Sequence, residues 1–218
     1  MTTHNTWEQI HHACEWGQYP AEHIIRFVAR NYYNSDRKTV KILDFGCGGG
    51  AHTWYLAREN FDTYAFDISE SAVMRVGKRL EREGLTAHLA TMDGTEMNYP
   101  EEFFNAVIDN ISILHNPMKD IKAMYRNTYH VLKPDGKLIT VVFSTETAGY
   151  GTGAMIEPNT YEGIEVGVLQ GRGCAHFFEK QELKDTLAEA GFREITVDSI
   201  LYTDQGNVVS QYVAIGKK

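Results

Sequence analysis

Three aspartates close successive apolar runs in the first half of the chain: Asp44 in ILDFGCGGG, Asp67 in DTYAFDIS and Asp93 in TAHLATMDG. A carboxylate is an acceptor-only group that can neutralise an ammonium, take bonds from ribose hydroxyls or hold an adenine amino group. Glycines at 46, 48, 49 and 50 follow the first aspartate. Without a Cβ, such residues let backbone approach a ligand or take positive φ. Gly46, Gly48 and Ala51 fit the dinucleotide pattern G-x-G-x-x-G/A loosely, and Gly46, Gly48 and Gly50 fit G-x-G-x-G equally well. Spacing therefore leaves the ligand open, and context decides. Asp44, two residues before the first glycine, would repel a pyrophosphate but attract a cofactor carrying an ammonium and a second positive charge. Asp67, about twenty residues on, stands where a carboxylate meets both ribose hydroxyls. Alone, Asp44 reads equally as a helix cap; with Asp67 and Asp93 at successive strand ends, ligand binding is the better reading. Gly49 is read as turn geometry, and Cys47 as a small filler rather than a nucleophile.

The elements that must position these groups follow from periodicity. Apolar, β-branched runs predict strands over 39–46, 62–69 and 86–94, a fourth within 103–115 and a fifth over 137–144. Amphipathic spacing predicts helices over 51–60, 71–84 and 118–132, the last stopped by LKPDG with its Pro134 and Gly136. Two further helices, 5–16 and 20–33, precede the first strand and are joined by WGQYP. Strands alternating with helices imply βαβ units and a parallel sheet covered on both faces. The end differs: helix 181–192, with Gly191 as its cap, leads into strands 193–202 and 208–218. The TDQGN link between them is too short for a crossover, so these strands must pair antiparallel.

With these motifs in order, residues 38–218 resemble the class I S-adenosylmethionine (SAM)-dependent methyltransferases. ILDFGCGGG, AFDIS, ATMDGTEMNYP, NAVIDNISILHN, HVLKPDGKLIT and HFFEKQELKDTLAEAGF carry the resemblance. It implies an α/β, Rossmann-like, seven-stranded sheet of order 3-2-1-4-5-7-6 with strand 7 antiparallel and helices on both faces. It also implies that Asp44 and the Gly46–Cys47–Gly48 backbone meet the methionine part of SAM, and that Asp67 holds the ribose. Ile68 and Met92 would sandwich the adenine, although each could equally be core. Asp93 and Gly94 would meet its amino edge, and Asn110 and Ile111 would line the sulfonium end. The product would be S-adenosylhomocysteine (SAH).

The acceptor side is less legible. His115, in ILHN after the fourth strand, and His176, in CAHFFE, are candidate catalytic bases or substrate contacts, although a lone histidine is more often a satisfied structural group. His11 and His12 carry no partner signal and are expected at the surface. Segment 144–178 is glycine-rich and too long for an ordinary connection, which suggests a lid. Within it, IEVGVLQG is expected to form a short hairpin. Residues 1–36 are expected to form a helical lid over a 37–218 methyltransferase domain with a substrate-cap insertion at 145–176, Tyr19 and Trp16 being candidate lid aromatics. DNISILHN stands where amide- and base-methylating relatives carry Asn/Asp-Pro-Pro-aromatic. The expected reaction is therefore methyl transfer to O or N of a small polar metabolite. The alternatives are a nicotinamide-dependent oxidoreductase and a SAM-binding protein without turnover.

Composition sets the outer limits. At 218 residues, 43% of them hydrophobic, the chain can build one well-cored domain. A net charge of −8 and the absence of any basic cluster free of interleaved acids argue against nucleic acid as a partner. No run of apolar residues is long enough to span a membrane, and MTTHNTWEQIHH pairs no basic stretch with an apolar one, so no signal peptide is expected. Three widely spaced cysteines suit a reducing compartment, and cytoplasm is the expected location. The nine histidines form no metal-ligand pattern. A homodimer is compatible with the chain but not specified by it.

Overall fold

Seven strands lie in the order β3-β2-β1-β4-β5-β10-β9 in the computed structural model, which describes residues 3–14 and 17–218, Thr3 and His4 as backbone. The strands are β1 (Lys41–Phe45), β2 (Asp62–Asp67), β3 (His88–Thr91), β4 (Phe104–Asn110), β5 (Leu132–Phe143), β9 (Arg193–Asp204) and β10 (Asn207–Lys217). The first five are parallel, and β10 pairs antiparallel with both β5 and β9. This is the layout expected from the sequence, with β9 and β10 as its sixth and seventh strands. Gln205 and Gly206, both at positive φ, make the turn between them.

Alternation along the central strands builds two cores. Leu43 on β1 and Val107 on β4 face α5 (Met118–Val131) and α6 (Lys180–Glu189), packing with Tyr125, Ile121 and Leu183. Ile42 and Ile108, one residue away on each strand, face the opposite layer and pack with Leu56 of α3 (Ala51–Arg58). A strand covered on both sides in this way is apolar along its middle, as Ile42–Leu43 of β1 and Ala106–Val107–Ile108 of β4 are, and carries its polar residues toward its ends. A smaller cluster joins Ala65 of β2 to Val76 and Leu80 of α4 (Glu70–Arg82).

Three expectations are corrected. First, only α1 (Thr3–Ala13) lies over the carboxyl ends of the strands; α2 (Glu22–Tyr32) belongs to the sheet's own helical layer. Its Ile24, Phe27 and Val28 are buried in the same core as Ile42 and Ile108, because spacing of three and four puts them on one face. The 1–36 segment is thus not one lid. Second, the hairpin within 145–176 forms between β6 (Ala154–Glu157) and β7 (Thr160–Glu162), not in IEVGVLQG, where Gly167–Leu169 makes a single helical turn. Pro158 and Asn159 supply the tight turn, Asn159 at φ 60°. β8 (Ala175–His176) adds a third strand to this small sheet. Third, LKPDG is not a plain turn: β5 already pairs with β4 at Leu132, and the register shifts past Asp135, which has φ 62°.

The ring of Phe104, fully buried, meets Tyr64, Tyr99 and Phe103 edge-on at centroid distances of 5.0–5.3 Å. Truncation leaves a cavity that close-packed neighbours cannot fill. Phe104→Ala is expected to cost about 3–5 kcal/mol in urea unfolding; a loss below about 1 kcal/mol would mean that this ring is not part of the core.

Candidate functional site

The carboxyl ends of β1, β2 and β4 open into a cavity of about 570 Å³, within the range of small-molecule sites. Its walls include Asp44, Gly46, Cys47, Gly48, Asp67, Ile68, Met92, Asp93, Gly94, Asn110, Ile111 and His115. Every residue expected to meet the cofactor therefore lies on one surface.

Two of the aspartates are clamped rather than free. Asp67 is only 6% exposed, and its carboxylate accepts from Gly48 N at 2.8 Å and Ser69 N at 2.9 Å, pinning the glycine loop to the start of α4. Asp44 is 1% exposed and accepts from Thr53 Oγ1 at 2.6 Å, with His52 Nδ1 3.9 Å away. Burial pushes its carboxyl up to about 7, opposed by the Thr53 hydrogen bonds and assisted by the charges of Asp67 and Asp109. Asp93 gives one oxygen to Thr95 N and Oγ1, both at 2.8 Å, capping the helical turn Gly94–Glu96. Its other oxygen takes no hydrogen bond from a described residue. The Cys47 thiol is buried and pushed well up by desolvation, so it stays protonated, as its reading as a filler requires.

Close approach explains two glycines. A Cβ on Gly46, itself at φ 63°, would lie 1.8 Å from Ser112 Oγ, and one on Gly94 would lie 2.3 Å from Phe45 Cζ. The turn that brings Ser112 so near is held by Asp109, wholly buried at the end of β4. It accepts from Ser112 N, Ile113 N and Thr140 Oγ1. Ile111 in that turn has φ 63°, an uncommon conformation for a β-branched side chain. Asn110 Oδ1 lies 3.0 Å from His23 Nε2 of α2.

Over the opening lies α1. Glu8 accepts from Ser69 Oγ at 2.6 Å and from the Ser71 hydroxyl, and Arg75 donates to Cys14 O at 2.5 Å. Trp7 meets the His115 ring edge-on at 4.7 Å. His11, expected at the surface, is instead 3% exposed and lines the cavity beside Gly48, while His12 is exposed as expected. Trp7 and His11, one turn apart, share a helix face, and that spacing was the available signal. Tyr19 lines the rim at 79% exposure, edge-on to Trp54. Trp16 lies outside the described residues.

His115 is 3% exposed. Its Nδ1 lies 2.9 Å from Cys174 O, and a carbonyl can only accept, so that nitrogen carries the proton. Nε2 is then a lone pair, and it takes no hydrogen bond from a described residue. Desolvation pushes this ring down to about 4, so it is neutral at pH 7. His176 is not brought to the cavity. Its Nδ1 lies 2.7 Å from Thr160 Oγ1 and its Nε2 3.4 Å from Glu182 Oε2, so the ring fastens β7 and β8 to α6. Sequence reasoning placed His176, which leads into the final helix, on the same edge of the sheet as His115, a proximity that chain order cannot test. Asn116, Asp120 and Met124, on the far wall, were not anticipated. Among the described residues no group of His, Cys, Asp and Glu is arranged to hold a metal, and no helix is long and apolar enough to cross a membrane.

A glycine turn after the first strand, acids at the ends of three strands and a reversed seventh strand define a class I methyltransferase fold. Residues 42–136 match the family described as a methyltransferase domain, and the chain around them has the fold of the class I SAM-dependent methyltransferases. The chain is 30% identical over 170 residues to phosphoethanolamine N-methyltransferase 3 of Arabidopsis thaliana, covering 76% of this chain and 31% of that one. A sterol 24-C-methyltransferase of Gibberella zeae is 27% identical over 92% of this chain and 52% of its own length. The chain thus spans about a third of the first relative and about half of the second. Among solved structures, a SAM-dependent methyltransferase from Methanosarcina mazei superposes with TM-score 0.71 at 19% identity, over 92% of this chain and 98% of that one. Phosphoethanolamine N-methyltransferase 2 of Haemonchus contortus, in complex with phosphomonomethylethanolamine and SAH, gives 0.73 at 14%, over 100% and 60%. SAM is the cofactor of this family, and the cavity fits it by charge: among the described residues its walls carry carboxylates and neither lysine nor arginine. A dinucleotide pyrophosphate would find no cation there.

Gly46→Ala combines a Cβ collision with strained backbone, and is expected to cost about 1–3 kcal/mol. Adding Ser112→Gly removes the collision alone. Urea unfolding should therefore show partial recovery in the double variant, whereas no recovery would mean that φ carries the whole effect.

Proposed function

We propose that this chain transfers the methyl group of SAM to an O or N atom of a small polar metabolite, releasing SAH. When bound, SAM supplies an electrophilic methyl already activated by the positive sulfur beside it. The chain's own residues then need chiefly to hold the acceptor in line and exclude water, an effect worth about 7–11 kcal/mol of barrier when geometry is good. In this reading Asp44 faces the ammonium group, Asp67 the ribose and the free oxygen of Asp93 the adenine amino group. Ile68 and Met92 flank the ring, Gly94 meets its amino edge, and Gly46, Cys47 and Gly48 give backbone to the methionine part. Asn110 and Ile111 border the transferring methyl, and Tyr19 stands at the acceptor's entrance.

The observation that carries the proposal is His115 Nε2, an unshared lone pair on a neutral, buried ring in the wall of the same cavity. A base pushed down to about 4 is too weak to hold a proton at pH 7. Its role is to accept a hydrogen bond from the acceptor's N–H or O–H and aim the opposite lone pair at the methyl carbon. His176, away from the cavity, is a positioning residue for the cap.

Two measurements test this. Asp44 must be ionised to face a cation, yet its carboxyl is pushed up to about 7 in the free protein. Binding therefore expels a proton, and SAM affinity is expected to tighten as pH rises from 6 to 8, by calorimetry. Asp44→Asn should flatten that dependence, and an unchanged slope would remove the assignment. With methyl-labelled SAM and a metabolite extract, label is expected to move into a small molecule. His115→Ala should lower the rate by about 10²-fold, the cost of a misplaced acceptor, with SAM affinity intact. Binding without any label transfer would instead favour a SAM-binding protein that does no chemistry.

A further inference from the structure

The acceptor half of the cavity carries a charge signature that the cofactor does not use. Asp120, in the first turn of α5, lines the wall with Asn116, and its carboxylate forms no ion pair or hydrogen bond with a described residue. Asp120, Asn116 and His115 line the same cavity, Asn116 being the next residue after His115. No lysine or arginine among the described residues lines the cavity. The histidines of the wall do not substitute. Burial pushes His52 and His115 down to about 4 and lowers His11 as well, so all three are neutral at pH 7.

The chain does possess cations, but they are gathered elsewhere. Arg75, Lys78, Arg79 and Arg82 line a separate groove of about 500 Å³ along α4, which meets the main cavity only at Gly49. Arg172 lines a third cavity of about 240 Å³ that shares Trp7 with the first, and its charge reaches His115 and His11 and helps to lower both rings. A phosphate or carboxylate placed against Asp120 would lose its hydration and face that carboxylate with no lysine or arginine among the described residues of the same wall, an arrangement electrostatics penalises. An ammonium there would gain a charge-assisted contact.

We infer that the methyl acceptor carries a cationic amine, held by Asp120 near His115 and Trp7, and bears no phosphate. This rests on the methyl-transfer reading above and sets the chain apart from the phosphorylated ligand named for its Haemonchus neighbour. The amine that is recognised need not be the atom methylated. If it is, it must first shed its proton to solvent, since the new N–C bond uses that lone pair while the C–S electrons leave with the sulfur.

The test separates a metabolite extract by ion exchange into anionic, neutral and cationic pools and supplies each with methyl-labelled SAM and the full chain. Label is expected from the cationic pool only. Label from the anionic or neutral pool would overturn the inference while leaving methyl transfer standing, and no label from any pool would remove both. With the acceptor purified from the active pool, Asp120→Asn is expected to raise its KM about tenfold or more, the loss of one charge-assisted contact. SAM affinity and kcat should be little changed, and Asp120→Glu should recover much of the affinity. An unchanged KM in Asp120→Asn would overturn the assignment.

Discussion

Three carboxylates, Asp67, Asp44 and Asp109, are buried at the ends of three adjacent parallel strands with no lysine or arginine beside them. An ionised group out of water must be paid for locally, and here the currency is backbone N–H and hydroxyl groups. Asp67 takes Gly48 N and Ser69 N, Asp44 takes Thr53, and Asp109 takes Ser112 N, Ile113 N and Thr140. Those bonds draw in the glycine loop, start α4 and fold the tight turn after β4. The rest of the site is arranged around them. What remains uncompensated is negative potential, and a cationic cofactor is what completes it.

The same logic divides the three acids by role. Asp109 has its oxygens filled by two amides and a hydroxyl and does not line the cavity, so its work is to shape the turn carrying Asn110 and Ile111. Asp44 takes its hydrogen bonds from Thr53, and burial pushes its carboxyl up to about 7. Asp67 links loop and helix and still presents an edge to the cavity.

Much of this was written plainly in the sequence. Strands covered on both faces are apolar runs, and the residues closing them are set by strand length, so Asp44, Asp67, Asp93 and the glycine turn could be placed without coordinates. The short TDQGN link forced the antiparallel end. Contacts between distant segments were not legible. His176 and His115 were both candidates for the acceptor side, yet only tertiary packing turns one toward Glu182 and the other toward the cavity. The burial of His11 depends on α1 docking through Glu8 onto Ser69 and Ser71, sixty residues or more away. α2 was grouped with the lid because it precedes the first strand, although its Ile24, Phe27 and Val28 commit it to the core. In the cap, glycines mark bends but do not say which of them closes a hairpin.

Helix α1 touches both halves of the cavity, Trp7 against His115 and His11 beside Gly48. One element thus roofs both halves. The bonds of Glu8 to Ser69 and Ser71 fasten that roof to the start of α4, so the ring packed against His115 is held in place by contacts made beside Asp67.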